Sequence, residues 1–368
     1  MEKSSTTYRL LSGIFLISGT MIGAGMLGIP LVTYQAGFVP AVFITSIVWL
    51  FMYFTGRLYL EATLWMPDGS NILSITENIL GKTWSNLSGF FFVFLYYCLM
   101  IAYFSAGSLI LADIFYSMGI TIKIFFAYLL FGSIFFLVVL VGPKSINRVN
   151  IMFSCAMIGT FLALVFQNSE NIVVGNLKDA RWLKMSSSLP ILFSAFGFHN
   201  IIPSMSSYLK RDKALINRAI FWGSIIPLII YVIWQGIIFG FFSAAQMEQS
   251  IYSGGALMDF FQENNFQKGS SKLIVAFSFF AIITSVLGVS FSLVDFVGDG
   301  LGIKNRNGLQ RLLLTVITFV PPFTFAYLNK NIFLSALGVA GGYGEAFLNG
   351  LLPIALVAIG SRTMKLSA

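Results

Sequence analysis

The stretch Gly19-Thr20-Met21-Ile22-Gly23-Ala24-Gly25-Met26-Leu27-Gly28-Ile29-Pro30 decides how this chain is read. It lies inside a run of 47 uncharged residues between Arg9 and Arg57. A helix rises 1.5 Å per residue, so about 20 apolar residues cross a hydrocarbon layer of about 30 Å, and this run is long enough for two spans turned around Gln35-Ala36-Gly37. Yet four glycines and a proline in twelve residues are poor helix formers, costing about 1 kcal/mol for each Gly and about 3 for Pro. Backbone groups freed inside a membrane cannot face lipid, so such an interruption must line a cavity or touch protein.

The rest of the chain repeats the pattern of long uncharged runs. Seven more are bounded by Lys82 and Asp113, Lys123 and Lys144, Arg148 and Glu170, Lys184 and Lys210, Arg218 and Glu248, Lys272 and Asp295, and Arg311 and Lys330. A last run, from Lys330 to Arg362, is broken once by Glu345 and is read as one irregular span or two short ones meeting near Gly341, Gly342 and Gly344. Counted once, it brings the expectation to about 10 transmembrane helices. These runs are too long and too uniformly apolar for β-barrel strands.

Composition agrees. Of 368 residues, 57% are hydrophobic and 10% charged, and the mean hydropathy is +0.86; soluble domains carry about 25% charged residues. Two Cys and one His exclude a disulfide framework, cysteine-rich metal sites and any site needing paired imidazoles. A G-x-x-x-x-G-K phosphate loop is absent, which excludes direct ATP drive by this chain, and no constellation of an enzyme is visible. No cofactor is expected. With the N-terminus placed in the cytoplasm, 15 of the 22 Lys and Arg fall inside, so both termini are expected there. The net charge of +8 then reflects topology and requires no nucleic acid. The first apolar run is read as an uncleaved span rather than a signal peptide. Residues 62–85, 167–187 and 244–271 are the longest extramembrane pieces, the first holding an amphipathic surface helix capped by Ser70 or Asn71.

A second interruption, Ser194-Ala195-Phe196-Gly197-Phe198-His199-Asn200-Ile201-Ile202-Pro203, falls in the sixth expected span. Two breaks five spans apart, with an odd number of spans per half, describe an inverted repeat in which discontinuous helices 1 and 6 build a midplane site. The expectation is an all-α polytopic membrane protein with a single membrane transport domain over 1–368. Its five-helix repeats run from 9 to 166 and from 188 to 361. The motif Gly19–Gly23 alone also suits simple helix packing; the matched second break favours a site. If the helix unwinds around Gly23-Ala24-Gly25, a half-helix starting near Leu27 offers free N–H groups and its positive dipole end to a carboxylate. Carbonyls ending the preceding half-helix suit an ammonium. Together they suit the two charges of an amino acid.

The runs GTMIGAGMLGIP, LPILFSAFGFHNIIPS and GVSFSLVDFVGDG, with GPKSINRVN after the fourth span, resemble the bacterial aromatic amino acid (tyrosine/tryptophan) permeases of the amino acid–polyamine–organocation superfamily. The resemblance covers residues 9 to 358. It implies the leucine-transporter fold and proton-coupled import of an aromatic amino acid across the bacterial inner membrane, tyrosine ahead of tryptophan. Members usually have eleven spans, and this chain ends after about the tenth.

The substrate-binding candidates are Thr20, Met21, Ile22, Gly23, Ala24, Gly25, Met26, Tyr96, Ala195, Phe196, Gly197, Phe198, His199 and Asn200. Tyr96 shares a face with Tyr103, seven residues on, and Phe196 or Phe198 is placed to stack on an aromatic ring. Ion coupling is assigned to His199, Asp295, Ser290 and Ser292, because ionisable groups within spans are functional candidates and imidazole titrates near neutrality. Sodium is the alternative coupling ion, held by serines of the eighth span and carbonyls of the first. A nutrient sensor on the same scaffold is the alternative outside transport. Glu345 is left unassigned, Glu61 is read as solvated, and Cys98 and Cys155 as buried thiols.

Overall fold

An apolar run in lipid satisfies its backbone internally, and helices do so segment by segment. The computed structural model describes residues 6–168, 172–243, 246–248, 268–303, 308–329 and 331–363, and among them it is all helical with no strand. Most of the 244–271 piece, and Lys3, Lys304, Arg306, Lys330 and Lys365 of the charge count, lie outside the described residues.

The first apolar run gives α1 (Thr6–Met21), α2 (Ala24–Thr33) and α3 (Phe38–Trp65). The axes of α1 and α2 meet at 53°. The surface helix α4 (Ile72–Leu80) follows, its N-cap Asn71 accepting from the Ser74 N–H at 2.9 Å. Then come α5 (Lys82–Ser117), α6 (Ile124–Val141) and α7 (Pro143–Asn168). The expected turn at GPKSINRVN is confined to Gly142, with φ +124°, and Pro143 already opens α7, as suits a residue whose missing N–H costs nothing in a first turn.

The Leu189–Tyr208 region is in three short pieces: α8 (Leu189–Ala195), a 3₁₀ turn (His199–Ile201) and α9 (Ile202–Tyr208). Prolines at the starts of α8 and α9 fit helix openings. Helix α10 (Lys213–Phe241) is capped by Asp212, which accepts from the Leu215 N–H at 3.0 Å. Helices α11 (Lys268–Gly300) and α12 (Gly308–Leu328) follow. The final run is a single span, Phe333–Arg362. It is built from α13 (Phe333–Val339), a π-helical segment (Ala340–Leu351) and α14 (Leu352–Thr363).

Among the described residues, eight helices are long and apolar enough to cross a membrane, or nine when the α1–α2 pair counts as one span. The expected span missing from that count is the sixth, the Leu189–Tyr208 region, where neither helical piece reaches spanning length. The long helix α5 packs against α4, α6, α11, α12, α13 and the π segment; α1 pairs with α10, and α7 with α11. Phe15, Phe54, Phe90, Leu137, Val141 and Phe166 stand exposed. An apolar exterior of this extent marks a surface made for lipid rather than water.

Two sequence expectations change. Glu61 is not simply solvated, because Lys213 pairs with it at 2.5 Å across α3 and α10. Cys155 is exposed whereas Cys98 is buried, since Cys155 falls on the outward face of α7.

Candidate substrate site

The two glycine-bearing interruptions lie against each other. A Cβ on Gly25 would stand 3.0 Å from the Ala195 Cα, so only the absence of a side chain lets the start of α2 touch the end of α8. The half-helix begins at Ala24, three residues before the expected Leu27, with Gly23 extended as its N-cap. Its N-terminal donors are partly engaged. The Ala24 N–H donates to Ser285 Oγ of α11 at 2.9 Å, and the Met26 N–H to the Gly23 carbonyl at 3.1 Å.

The carbonyl ends of the two interruptions converge on one residue. The Tyr231 hydroxyl of α10 lies 2.6 Å from the Met21 carbonyl and 2.8 Å from the Ala195 carbonyl. It is fully buried, and its single proton serves both acceptors. The Phe196 ring packs obliquely on the same tyrosine, with centroids 5.0 Å apart. Ser285 in turn donates to the Ala281 carbonyl at 2.9 Å, and the Tyr103 hydroxyl lies beside it.

The remaining candidates divide. Met21, Gly23, Ala24, Gly25, Met26 and Ala195 are buried at this junction, and Ile22 is half-buried. Thr20 does not join them: it stands on the exposed face of α1 and donates to the Leu16 carbonyl of its own helix at 2.7 Å. Phe198 turns away to α3, where a Cβ on Gly56 would meet its Cζ at 2.5 Å. The buried His199 follows it, Nε2 lying 2.9 Å from Thr55 Oγ1. Ser290 turns back into α11 and bonds the Leu287 carbonyl at 3.3 Å.

Tyr96, Asn200, Ser292 and Asp295 meet elsewhere, on the wall of a cavity of about 590 Å³. It lies among the 69–73 segment, α5, α9 and α11, at the end of the molecule carrying Asp299. The Asn200 amide donates to the Tyr96 hydroxyl at 2.6 Å on the cavity wall, where the second interruption borders it. Ser292 is beside the same hydroxyl. Phe296, Phe92 and Tyr96 form a continuous stack along the wall, with successive centroids 4.0 and 4.3 Å apart, and Phe291 adds a fourth ring. The volume falls within the range of about 300–1,000 Å³ typical of small-molecule sites, which combine apolar walls with a few polar groups. His199, facing Thr55, and Asp295, on the cavity wall, are not brought together.

Tyr231, Ser285 and Glu345 are the residues that sequence reasoning missed or left aside. Tyr231 is one hydroxyl in an apolar run, and Ser285 one of many span serines; neither carries a local signal. Glu345 did, as an acid within a span.

The chain is similar to known proteins over nearly its whole length. The profile of the tryptophan/tyrosine permease family matches residues 6–367. A tryptophan-specific transport protein of Pseudomonas aeruginosa (strain UCBPP-PA14) is 31% identical, over 96% of this chain and 86% of the relative. Tyrosine-specific transport system 1 of Haemophilus influenzae is 30% identical, over 93% and 86%, and the low affinity tryptophan permease of Escherichia coli (strain K12) 30%, over 89% and 82%. All three are transport proteins rather than enzymes. This multi-pass membrane protein belongs to the tryptophan/tyrosine permease family.

Proposed function

We propose that the protein is a secondary active transporter importing an aromatic amino acid, tyrosine ahead of tryptophan, by proton symport with alternating access. The observation that carries this reading is the aromatic-walled cavity lined by Tyr96 and by Asn200 of the second interruption. Stacked rings at the wall suit an aromatic side chain, with ring pairs contributing about 0.5–1.5 kcal/mol beyond area burial. The relatives' names, divided between tryptophan and tyrosine, support the same substrate class.

The fold reading is a five-plus-five inverted repeat, residues 9–166 and 188–361, with discontinuous helices 1 and 6. The bent α1–α2 pair and the three-piece Leu189–Tyr208 region support it. The amino acid's charged end binds where the backbones of Gly23–Met26 and Ala195–Asn200 adjoin, and Tyr96 closes over it. By the distribution of Lys and Arg, both termini face the cytoplasm of a bacterial inner membrane, and the cavity is then the inward exit. His199 and Asp295 are the sequence's candidates for ion coupling, with Ser290 and Ser292 beside the latter.

Proton rather than sodium coupling is supported by the use already made of the oxygens. The Met21 and Ala195 carbonyls accept from Tyr231, and Ser285 bonds Ala24 and Ala281. Each of these oxygens thus already has a protein partner, which leaves fewer lone pairs for a sodium cage. The test is uptake of labelled tyrosine, tryptophan and phenylalanine into proteoliposomes with proton and sodium gradients imposed separately. Accumulation that follows sodium and ignores the proton gradient overturns proton symport; absence of uptake for all three overturns the transport reading. Among variants, Asp295→Asn and His199→Gln are expected to impair uphill accumulation more than exchange.

A further inference from the structure

Glu345 is the charged residue that neither the site nor the ion-coupling candidates use, and it is deeply buried, only 5% exposed. It lies at the centre of the π-helical segment Ala340–Leu351. Hydrogen bonding of π type is rare and recurs at functional sites. Two glycines seat the segment: a Cβ on Gly341 would run into the Pro190 carbonyl of α8, and one on Gly344 would stand 2.8 Å from the Leu95 Cβ of α5. The carboxyl is thereby pressed against the second interruption, where a Cβ on Gly197 would be 2.5 Å from Oε1 and 2.8 Å from Oε2. The Asn349 amide donates to Oε2.

We infer that the Glu345 carboxyl, seated against Gly197 in the unwound stretch after α8 and held by Asn349, is where the transported proton binds. This rests on the proton-symport reading and adds a residue beyond His199 and Asp295. In the interruption itself, His199 is turned to Thr55 of α3. On α5, the Tyr96 and Tyr103 hydroxyls lie within reach of its charge, and the Tyr97 hydroxyl is turned away to the Ile317 carbonyl. Helices α8 and α13 carry no titratable side chain, and α14 has only Arg362, at its far end. On α3, Arg57 bonds Asn217, Glu61 pairs with Lys213, Tyr53 packs on Trp49 and Phe221, and Tyr59 lies by His199. Among the described residues no Lys or Arg stands within ion-pairing distance of Glu345.

The coupling follows from charge. A buried carboxylate without a cation carries a large desolvation cost, whereas the protonated group is a neutral hydrogen-bonding partner. A substrate carboxylate at the adjoining backbone would stand near Glu345. Two carboxylates in one dry site do not both stay ionised without further cost, so substrate loading and protonation favour each other, reciprocally. Tyr96 lines the cavity and lies within electrostatic reach of Glu345, so opening toward the cavity gives the proton its way out on that side.

The test compares wild type, Glu345→Gln and Glu345→Asp in proteoliposomes and, purified, in substrate-binding titrations across pH. Wild type is expected to accumulate substrate on a proton gradient and to bind it with an affinity that changes with pH. Glu345→Gln is expected to lose gradient-driven accumulation, keep exchange of internal for external substrate, and bind with pH-independent affinity. Glu345→Asp, should the Gln variant not fold, is expected to keep the drive with a displaced pH profile; a profile identical to wild type overturns the assignment. Wild-type accumulation by a folded Gln variant also overturns it while leaving proton symport standing. Loss of exchange together with accumulation would make Glu345 a substrate ligand and overturn the proton role. A wild type driven by sodium and indifferent to pH removes the symport reading itself, a distinguishable failure.

Discussion

The tyrosine that joins the two interruptions offers a sharp test, because the same substitution elsewhere should do the opposite. Tyr231→Phe removes one hydroxyl from a fully buried side chain and leaves the Met21 and Ala195 carbonyls without their shared donor. A buried polar group orphaned in this way costs about 1–3 kcal/mol; since one proton divides between two acceptors, the cost stays in that range rather than doubling. Tyr59 is as buried, at 1% exposure, and its hydroxyl makes no protein hydrogen bond among the described residues. Tyr59→Phe should therefore be neutral or slightly stabilising, since it removes a polar atom whose burial no protein partner offsets. The assay is thermal unfolding of the purified protein with and without tyrosine or tryptophan, alongside uptake. Tyr231→Phe is expected to lower the unfolding temperature and weaken substrate binding; about 2 kcal/mol corresponds to roughly 30-fold in an equilibrium constant. Equal unfolding temperatures for wild type and Tyr231→Phe, or a larger loss at Tyr59 than at Tyr231, would refute the bridging role.

Other perturbations follow from close approaches and clamps. Gly25→Val places branched carbon against the Ala195 backbone, where a Cβ alone already stands at 3.0 Å; uptake should vanish while the protein still reaches the membrane, as judged by surface yield and transport together. Gly56→Ala drives a methyl into the Phe198 ring, and overpacking of about 1–3 kcal/mol should appear as a lowered unfolding temperature and reduced uptake. Arg211 donates from Nη2 to the Leu64 and Met66 carbonyls, each at 2.8 Å. Arg211→Ala should cost roughly 1.5–3 kcal/mol for each charge-assisted bond lost, measured as heat stability, with Arg211→Lys recovering only part because ammonium lacks the planar fork.

Much of the architecture was legible because a membrane imposes one rule on every residue: backbone groups must be paired within the segment. Uncharged runs such as 124–141 and 219–241 become helices for that reason, and Asn71 and Asp212 cap where their side chains can accept. Gly23, Pro190, Gly197 and Pro203 likewise stand where helices begin and end, whereas Pro30 is carried inside α2, since propensity and missing donors act locally. Which side chains meet at those places was not legible. The sequence made Thr20 and Phe198 neighbours of the site by position along the chain, but helix rotation turns Thr20 outward and packing against Gly56 takes Phe198 to α3. Tyr231 lies 210 residues from Met21 and 36 from Ala195, and Glu345 meets Gly197 across a comparable gap. Such pairings depend on the azimuth at which each helix faces its neighbours, a sum of many weak packing contacts. The sequence determines that this is a helical membrane protein with two costly interruptions. Only the tertiary structure decides that a tyrosine bridges them and a carboxyl is set beside one, because direction around a helix axis is set by what packs on every side of it.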